Sequence, residues 1–405
     1  MRKVITFLGK IARPTEYKFR NNIYSGHVFA EALRQFIEYD KMLVFTTQEA
    51  RRTTYPKLES LDDSRIEAVD IPDGRTDAEM WQIFNKLTGV IDDGDVVIFD
   101  ITHGFRSIPF FVFLAVAFIK SVRDVTIEAV YYGALELGPP APVLDLSEFV
   151  DLLDWMNASE QFIEFGNAQL FADLLQQRAD QLPETDRLDA RRLRAAAEAL
   201  EHTSLALRLL IPDQAMAASH TIAGTLEINA SALAEQAPPF RALAEKVTAA
   251  YRPIAFPDPR EPEAMQASLH FERQLVFWYL DRHLLLQAIG MAFEWLISWG
   301  VYHGAYQDLY KFKSREKVRK TFNKAQNKES DLRQVKFETT GPSLDTIPDI
   351  KKALALFIDI RDIRNNLLHA GNSSYRDQLP KAWEEDIEAR CRELAELPLE
   401  RGGVG

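Results

Sequence analysis

From Val4 to Tyr132, short apolar runs rich in β-branched residues alternate with segments whose apolar positions recur every three or four residues. Val4 to Leu8, Lys41 to Thr46, Ile66 to Asp70, Asp95 to Asp100 and Thr126 to Tyr132 predict strands. Between them, Asn22 to Tyr39 has helical spacing, and Thr76 to Ile91 opens on a Thr76…Glu79 capping box. Pro109 is suited to start a helix that runs through Ser121. Such alternation predicts parallel βαβ units, a doubly wound, Rossmann-like parallel sheet over residues 1–145. The strand VVIFD and the helix PFFVFLAVAFI are apolar on nearly every face, which predicts a central position or cover by a partner chain.

After Gly138-Pro139-Pro140-Ala141-Pro142 the strand pattern stops and helix follows helix. Residues 146–262 read as a helical linker or insertion, ended by a break at Pro253, Pro257, Pro259 and Pro262. Residues 263–405 form a further helical domain, with helices from Met265 to His283, Leu284 to His303 and Pro348 to about His369, and a polar stretch from Lys311. The predicted fold class is therefore α/β followed by all-α, and 405 residues suffice for two or three such domains.

Composition narrows the function classes. Hydrophobic residues at 46% and charged residues at 27% are those of a globular chain, not of a disordered or fibrous one. The longest apolar stretch, Ile108 to Ile119, is shorter than the roughly 20 residues of a membrane span. The start MRKVITFLG runs straight into a strand and has no secretory h-region. A lone Cys391 allows neither an internal disulfide nor a zinc site built from several thiolates. Together these predict a cytoplasmic protein without a membrane partner. The net charge of −12 argues against bulk coating of nucleic acid, yet Lys311 to Lys336 holds ten Lys or Arg against three Asp or Glu. That stretch reads as a solvated face or as phosphate contacts for an RNA strand.

Two places carry candidate chemistry. Ligands of open parallel sheets sit beyond the carboxyl ends of the strands. There the chain offers GKIARPTEYKFRNNIY, TTQEARRT and Asp100-Ile101-Thr102-His103-Gly104-Phe105-Arg106-Ser107. The last combines hydroxyl, imidazole, glycine and arginine before a helix N-terminus, which outlines a phosphate or nucleotide site. The bland alternative is that Asp100 caps a turn and His103 packs locally. No G-x-G-x-x-G follows the first strand, which counts against NAD or FAD. The second place is Arg364-Asn365-Asn366-Leu367-Leu368-His369, near a helix end that Gly371 could cap. Arg364 and His369 are five residues apart, about 140° of helical rotation, so they share no face unless the arginine reaches around or two copies pool their side chains. Such a pair suits RNA cleavage, with the 2′-hydroxyl attacking, arginine stabilising the phosphorane and imidazole shuttling protons. It also reads as an ordinary surface pair.

These residues give the chain its resemblance to a known group. Asp100-Ile101-Thr102-His103-Gly104 at the end of a hydrophobic strand, and Arg364 to His369 as R-x4-H, resemble the CRISPR-associated DxTHG-motif group, the CARF-HEPN ribonucleases of type III CRISPR systems. ITFLGK at the first strand and FIEFGNAQL are similar as well. The resemblance implies an N-terminal CARF sensor that binds cyclic oligoadenylate, an allosteric activator rather than a cofactor. It also implies a homodimer or higher oligomer, and a C-terminal HEPN domain that cuts single-stranded RNA without a metal, leaving a 2′,3′-cyclic phosphate. By motif, Thr102, His103, Gly104 and Arg106 go to the ligand site, joined by Gly9, Thr15 and Tyr17 of the first loop and Thr46 of the second. Arg364, Asn365 and His369 go to the catalytic site. The long helical insertion between Asn167 and Pro262 has no counterpart in the shared pattern and reads as packing, dimer contact or partner binding. The alternative function is a non-catalytic cyclic-nucleotide sensor that binds RNA or a protein partner.

Overall fold

The computed structural model describes residues 1–104, 106–229, 240–326, 332–337, 341–369 and 380–401. The chain divides into two compact units, Met1–Asp154 and Trp155–Gly405.

In the first unit, β1 (Arg2–Leu8), β2 (Thr15–Phe19), β3 (Asn22–Gly26), β4 (Lys41–Thr46), β5 (Ile66–Asp70), β6 (Val96–Asp100), β7 (Thr126–Gly133) and β8 (Ala141–Asp145) form one sheet in the order β3-β2-β8-β7-β6-β1-β4-β5. β5, β4, β1, β6 and β7 are mutually parallel. Their side chains alternate between two buried faces, as strands covered on both sides require. Val4, Met42, Val44 and Ile98 face α1 (Phe29–Phe36), α2 (Gln48–Thr53) and α3 (Tyr55–Glu59). Ile5, Phe7, Phe45 and Phe99 face α4 (Asp77–Gly89) and α5 (Ile108–Val122). Thr76 caps α4 by accepting the Glu79 amide at 3.2 Å, as its sequence predicts. α5 buries Ile108, Val112, Ala115, Val116 and Ile119 but leaves Phe110, Phe113, Leu114 and Phe118 exposed.

Three expectations are corrected here. The sheet is mixed rather than parallel, because β3 pairs antiparallel with β2 and β8 antiparallel with β7. Asn22 to Tyr39 is not one helix: Asn22–Gly26 is a strand and only Phe29–Phe36 is helical. The first loop folds into this hairpin because Arg20 takes the left-handed conformation (φ 56°) in its turn and Tyr17 and Phe19 alternate into the core. Finally, strands do not end before the proline cluster. Ala141–Asp145 holds three pairings with β7 and two with β2, too few to leave a periodic signature among prolines.

The second unit is helical. Its elements are most of α6 (Ser147–Phe165), then α7 (Gln169–Gln181), α8 (Arg187–Arg208), α9 (Pro212–Ile228), α10 (Phe240–Tyr251), α11 (Met265–Leu280), α12 (Leu285–His303), α13 (Phe312–Gln326), α14 (Ile350–Leu368) and α15 (Pro380–Glu393). α12 is buried on nearly every side from Ala288 to His303, apart from the half-buried Glu294. Helices before and after the proline break share one core. The Tyr251 hydroxyl donates to the Phe162 carbonyl at 2.6 Å, and the Tyr279 hydroxyl to the Leu207 carbonyl at 2.7 Å. Gly300 lets α13 close on α12, since a Cβ there would lie 2.5 Å from Val318 Cγ1. Among the described residues, no helix is long and apolar enough to cross a membrane.

Candidate functional site

The parallel strands alone run third, second, first, fourth, fifth, so the winding reverses between β1 and β6. In open sheets of this kind, ligands are received beside the loops that leave the strands at such a point. Asp100, the last residue of β6, is fully buried. One of its carboxylate oxygens accepts the Thr6 hydroxyl at 2.6 Å, and the other accepts the Thr102 amide at 2.8 Å, closing a turn over the strand end. Thr102 Oγ1 accepts the Gly133 amide at 2.8 Å and ties the loop to β7. Gly104 has φ 113°, and a Cβ there would meet Phe7 Cβ at 3.2 Å and Ile108 Cγ1 at 3.3 Å. Only glycine suits that conformation and that space. A Cβ on Gly9 would lie 3.6 Å from the Gly104 amide nitrogen, so the two loops run against each other.

His103 turns back into the unit. Its Nε2 accepts the Phe29 amide at 3.1 Å and lies 3.4 Å from the Tyr17 hydroxyl. Accepting a backbone N–H leaves Nε2 bare and assigns the ring proton to Nδ1. The bond also caps α1, whose own N-cap residue, Val28, offers no side-chain acceptor. Burial pushes the imidazole below its ordinary range, with the Asp100 charge opposing. Burial likewise pushes the Asp100 carboxyl up, against the opposing effects of His103 and of the bonds from Thr6 and Thr102. The bland reading of this loop therefore holds locally: Asp100 caps a turn, and His103 packs.

The fold thus brings Gly9, Tyr17, Thr102, His103 and Gly104 together. Thr15 sits at the start of β2 and donates its hydroxyl to the Arg13 carbonyl at 3.1 Å. Thr46 ends β4 fully buried, with no hydrogen-bond partner for its hydroxyl among the described residues. Arg106 is exposed just before α5. Sequence reasoning missed Phe29 and Gly133, which act through backbone amides, and Thr54, whose hydroxyl donates to the Gly9 carbonyl at 2.8 Å. Lys10, Arg13, Arg52 and Arg106 lie exposed in the segments around these loops. Small residues, backbone amides and exposed cations suit an anionic ligand with several phosphates.

In the second unit, Arg364 lines a cavity of about 380 Å³ together with Asp213, Arg260, Glu294, Tyr310 and Arg315. Its guanidinium lies 5.0 Å from the centroid of the Phe293 ring. Arg315 is fixed by the Ser298 hydroxyl and the Leu309 carbonyl at 2.8 Å each and by Glu294 Oε2 at 2.7 Å. Behind the cavity, Glu272 is fully buried without a close hydrogen bond among the described residues, although Arg315, Tyr310 and Ser298 face it. Burial pushes its carboxyl up to about 7. Asn365 and His369 are exposed, and His369 ends α14 with its amide bonded to the Asn365 carbonyl at 3.0 Å. No bond joins Arg364 to His369 among the described residues, in keeping with their separation around the helix. The Gly371 cap falls outside the described residues.

Comparison with known proteins adds one region. Residues 151–253 match the family model described as CRISPR-associated protein MJ1674, second domain. The CRISPR-associated protein MJ1674 of Methanocaldococcus jannaschii is 35% identical over 113 residues, covering 26% of this chain and 18% of that protein. The matched part of the chain thus spans less than a fifth of the length of the curated relative. The match falls on α6 to α10, largely the insertion for which the DxTHG resemblance offers no counterpart, and contains neither Asp100–Gly104 nor Arg364–His369.

Proposed function

We propose that the chain is a cyclic-oligoadenylate-activated, metal-independent endoribonuclease acting in type III CRISPR defence, with a Rossmann-like CARF sensor and a HEPN catalytic end. The observation that carries this reading is the convergence of Gly9, Tyr17, Thr102, His103 and Gly104 at the reversal point of the sheet, where an anionic ligand is best received. The likeness of residues 151–253 to a domain of a CRISPR-associated protein supports the biological setting. A homodimer is supported by the uncovered apolar face of α5, where Phe110 is 64% exposed.

In the proposed dimer, each protomer supplies half of the cradle for the ring, and two α14 ends pool Arg364, Asn365 and His369. The RNA 2′-oxygen bonds to phosphorus as the bond to the 5′-oxygen breaks. Its proton passes to an imidazole, and one is returned to the leaving oxygen. Arg364 offsets the added charge of the phosphorane. The products are a 2′,3′-cyclic phosphate and a free 5′-hydroxyl, and DNA is spared because it lacks the attacking group.

The test is to mix the purified protein with a labelled single-stranded RNA and cyclic adenylates of several ring sizes. Cutting should require the ring, and His369→Ala should abolish it while ring binding stays. Equal cutting by that variant would remove the catalyst. Ring binding with no cutting at any ring size would favour the non-catalytic sensor.

A further inference from the structure

A smaller cavity, of about 230 Å³, lies between α12 and α13 and shares two lining residues, Glu294 and Arg315, with the cavity at Arg364. Its apolar wall is Phe293 and Ile297 of α12 and Phe312 of α13, and Arg319 lines it as well. The Phe293 ring is already engaged: it stacks on Phe357 with 5.3 Å between centroids and carries the Arg364 guanidinium at 5.0 Å. Phe312 differs, being 73% exposed with no ring contact among the described residues. A lone exposed aromatic needs no explanation, but this one stands at a cavity one ring away from Arg364. The acids there are matched, Glu294 by Arg315 at 2.7 Å and Glu316 by Lys320 at 2.7 Å, and Arg319 is exposed beside them. A contact between two copies would bring these charges into a dry core, where charged residues are depleted. A nucleobase suits the place better, since its flat face needs an aromatic surface while its polar edge and phosphates can stay with the charged rim.

We infer that the cavity between α12 and α13 receives a base of single-stranded RNA, stacked on Phe312, beside the phosphate that Arg364 holds. The inference rests on the ribonuclease reading for its substrate. Every base has a face to stack, so Phe312 sets where the strand lies and how tightly, not which sequence is taken. Arg319 supplies a phosphate contact at the rim.

The test uses the full chain carrying His369→Ala and fluorescence anisotropy of a labelled single-stranded RNA, with each cyclic adenylate present in turn. Phe312→Ala should raise Kd by about 5- to 150-fold, the range that stacking of one base supports. Phe312→Tyr should bind as the parent does, and Phe312→Leu, apolar but without a ring face, should not. The loss should vanish on a strand of abasic sites, which keeps every phosphate. Phe312→Ala should also leave the slope of log K against log salt unchanged, whereas Arg319→Ala should lower it by roughly 0.7. Leu188→Ala, at another exposed apolar position of the second unit, should change nothing. An unchanged Kd for Phe312→Ala, or a loss that persists on the abasic strand, overturns the base site and leaves the ribonuclease reading standing. So does a lowered oligomeric state of Phe312→Ala in sedimentation, which would make the ring a contact between copies. A Phe312-dependent affinity in the parent, with no RNA cut by the wild-type chain under any ring, does the reverse. A parent that binds no RNA at low salt overturns both.

Discussion

The bond from the Phe29 amide to His103 Nε2 makes one imidazole both a loop residue of the candidate ligand site and the cap of α1. Replacing His103 by Ala removes the acceptor and leaves a buried N–H without a partner, since Phe29 is fully buried. Loss of a cap costs about 1 kcal/mol, and an orphaned buried donor about 1 to 3 kcal/mol in general; the two descriptions overlap, so about 1 to 2 kcal/mol is expected. For a unit of this size that is a fall of about 2 to 8 °C in Tm at neutral pH, read by calorimetry on the full chain as a shift of the transition of the first unit. The pH dependence follows from the direction of the shift. The folded imidazole titrates below the ordinary His value because it is buried, so its contribution is complete above about 6.5 and is lost as pH falls from there through the depressed pKa. Asp100, raised by burial, acts in the opposite sense, so the His103 contribution is the difference between wild type and His103→Gln. Glutamine still accepts from Phe29 but does not titrate. His103→Gln should therefore match wild type near pH 7.5 and exceed it near pH 5. If His103→Ala melts with wild type, or if His103→Gln keeps the whole acid loss, His103 is not the cap.

Two further outcomes follow from the same geometry. Glu272 lies fully buried with its pKa raised from 4.5 to about 7, so its ionisation opposes folding at high pH and the opposition disappears as pH falls through 7 toward 4.5. Glu272→Gln should stabilise the second unit by up to about 3 kcal/mol at pH 8.5 and little at pH 5, measured by chemical denaturation at both values; equal effects at the two would refute the raised pKa. Gly104→Ala places a Cβ on a backbone at φ 113° and against Phe7 and Ile108, so it should cost about 1 to 3 kcal/mol in denaturant titration and weaken cyclic-adenylate binding. A variant as stable as wild type would mean that the loop relaxes freely.

The parts of this fold that are legible in the chain are those where burial on both faces leaves continuous apolar runs, namely VITFL, KMLVFT, VVIFD and TIEAVYY. The hairpin of β2 and β3 is not legible, because Thr15–Phe19 buries only Tyr17 and Phe19 and its turn rests on Arg20 rather than on glycine. The DITHG loop stands out because its side chains are unusual for a strand end. The contribution of Phe29 and Gly133 is invisible, since they act through amides that any non-proline residue carries. Glu272 reads as a solvent-facing residue of HFERQLVF. Its burial depends on Tyr310 and Arg315, about forty positions away, which no local pattern reports.

The separation of Arg364 from His369 sets how strongly a ligand must act in the proposed dimer. If one copy cannot align them, cleavage depends on an arrangement of two copies, and a ligand at the sensor end controls it only by favouring that arrangement. Turning a 1:99 population into 99:1 requires a differential affinity of about 10⁴, or about 5.5 kcal/mol. Shared across a two-fold axis, that is somewhat under 3 kcal/mol per protomer. A charge-assisted hydrogen bond contributes about 1.5 to 3 kcal/mol, so one or two bonds made only in the active arrangement suffice for each copy. Exposed cations, such as Arg106 and Lys10, suit that role better than His103, whose acceptor is already engaged with α1. Arg106→Ala should then reduce ring-dependent cutting more than it reduces ring binding, measured side by side. A loss of binding equal to the loss of cutting would mean that Arg106 holds the ring equally in both arrangements and shifts nothing.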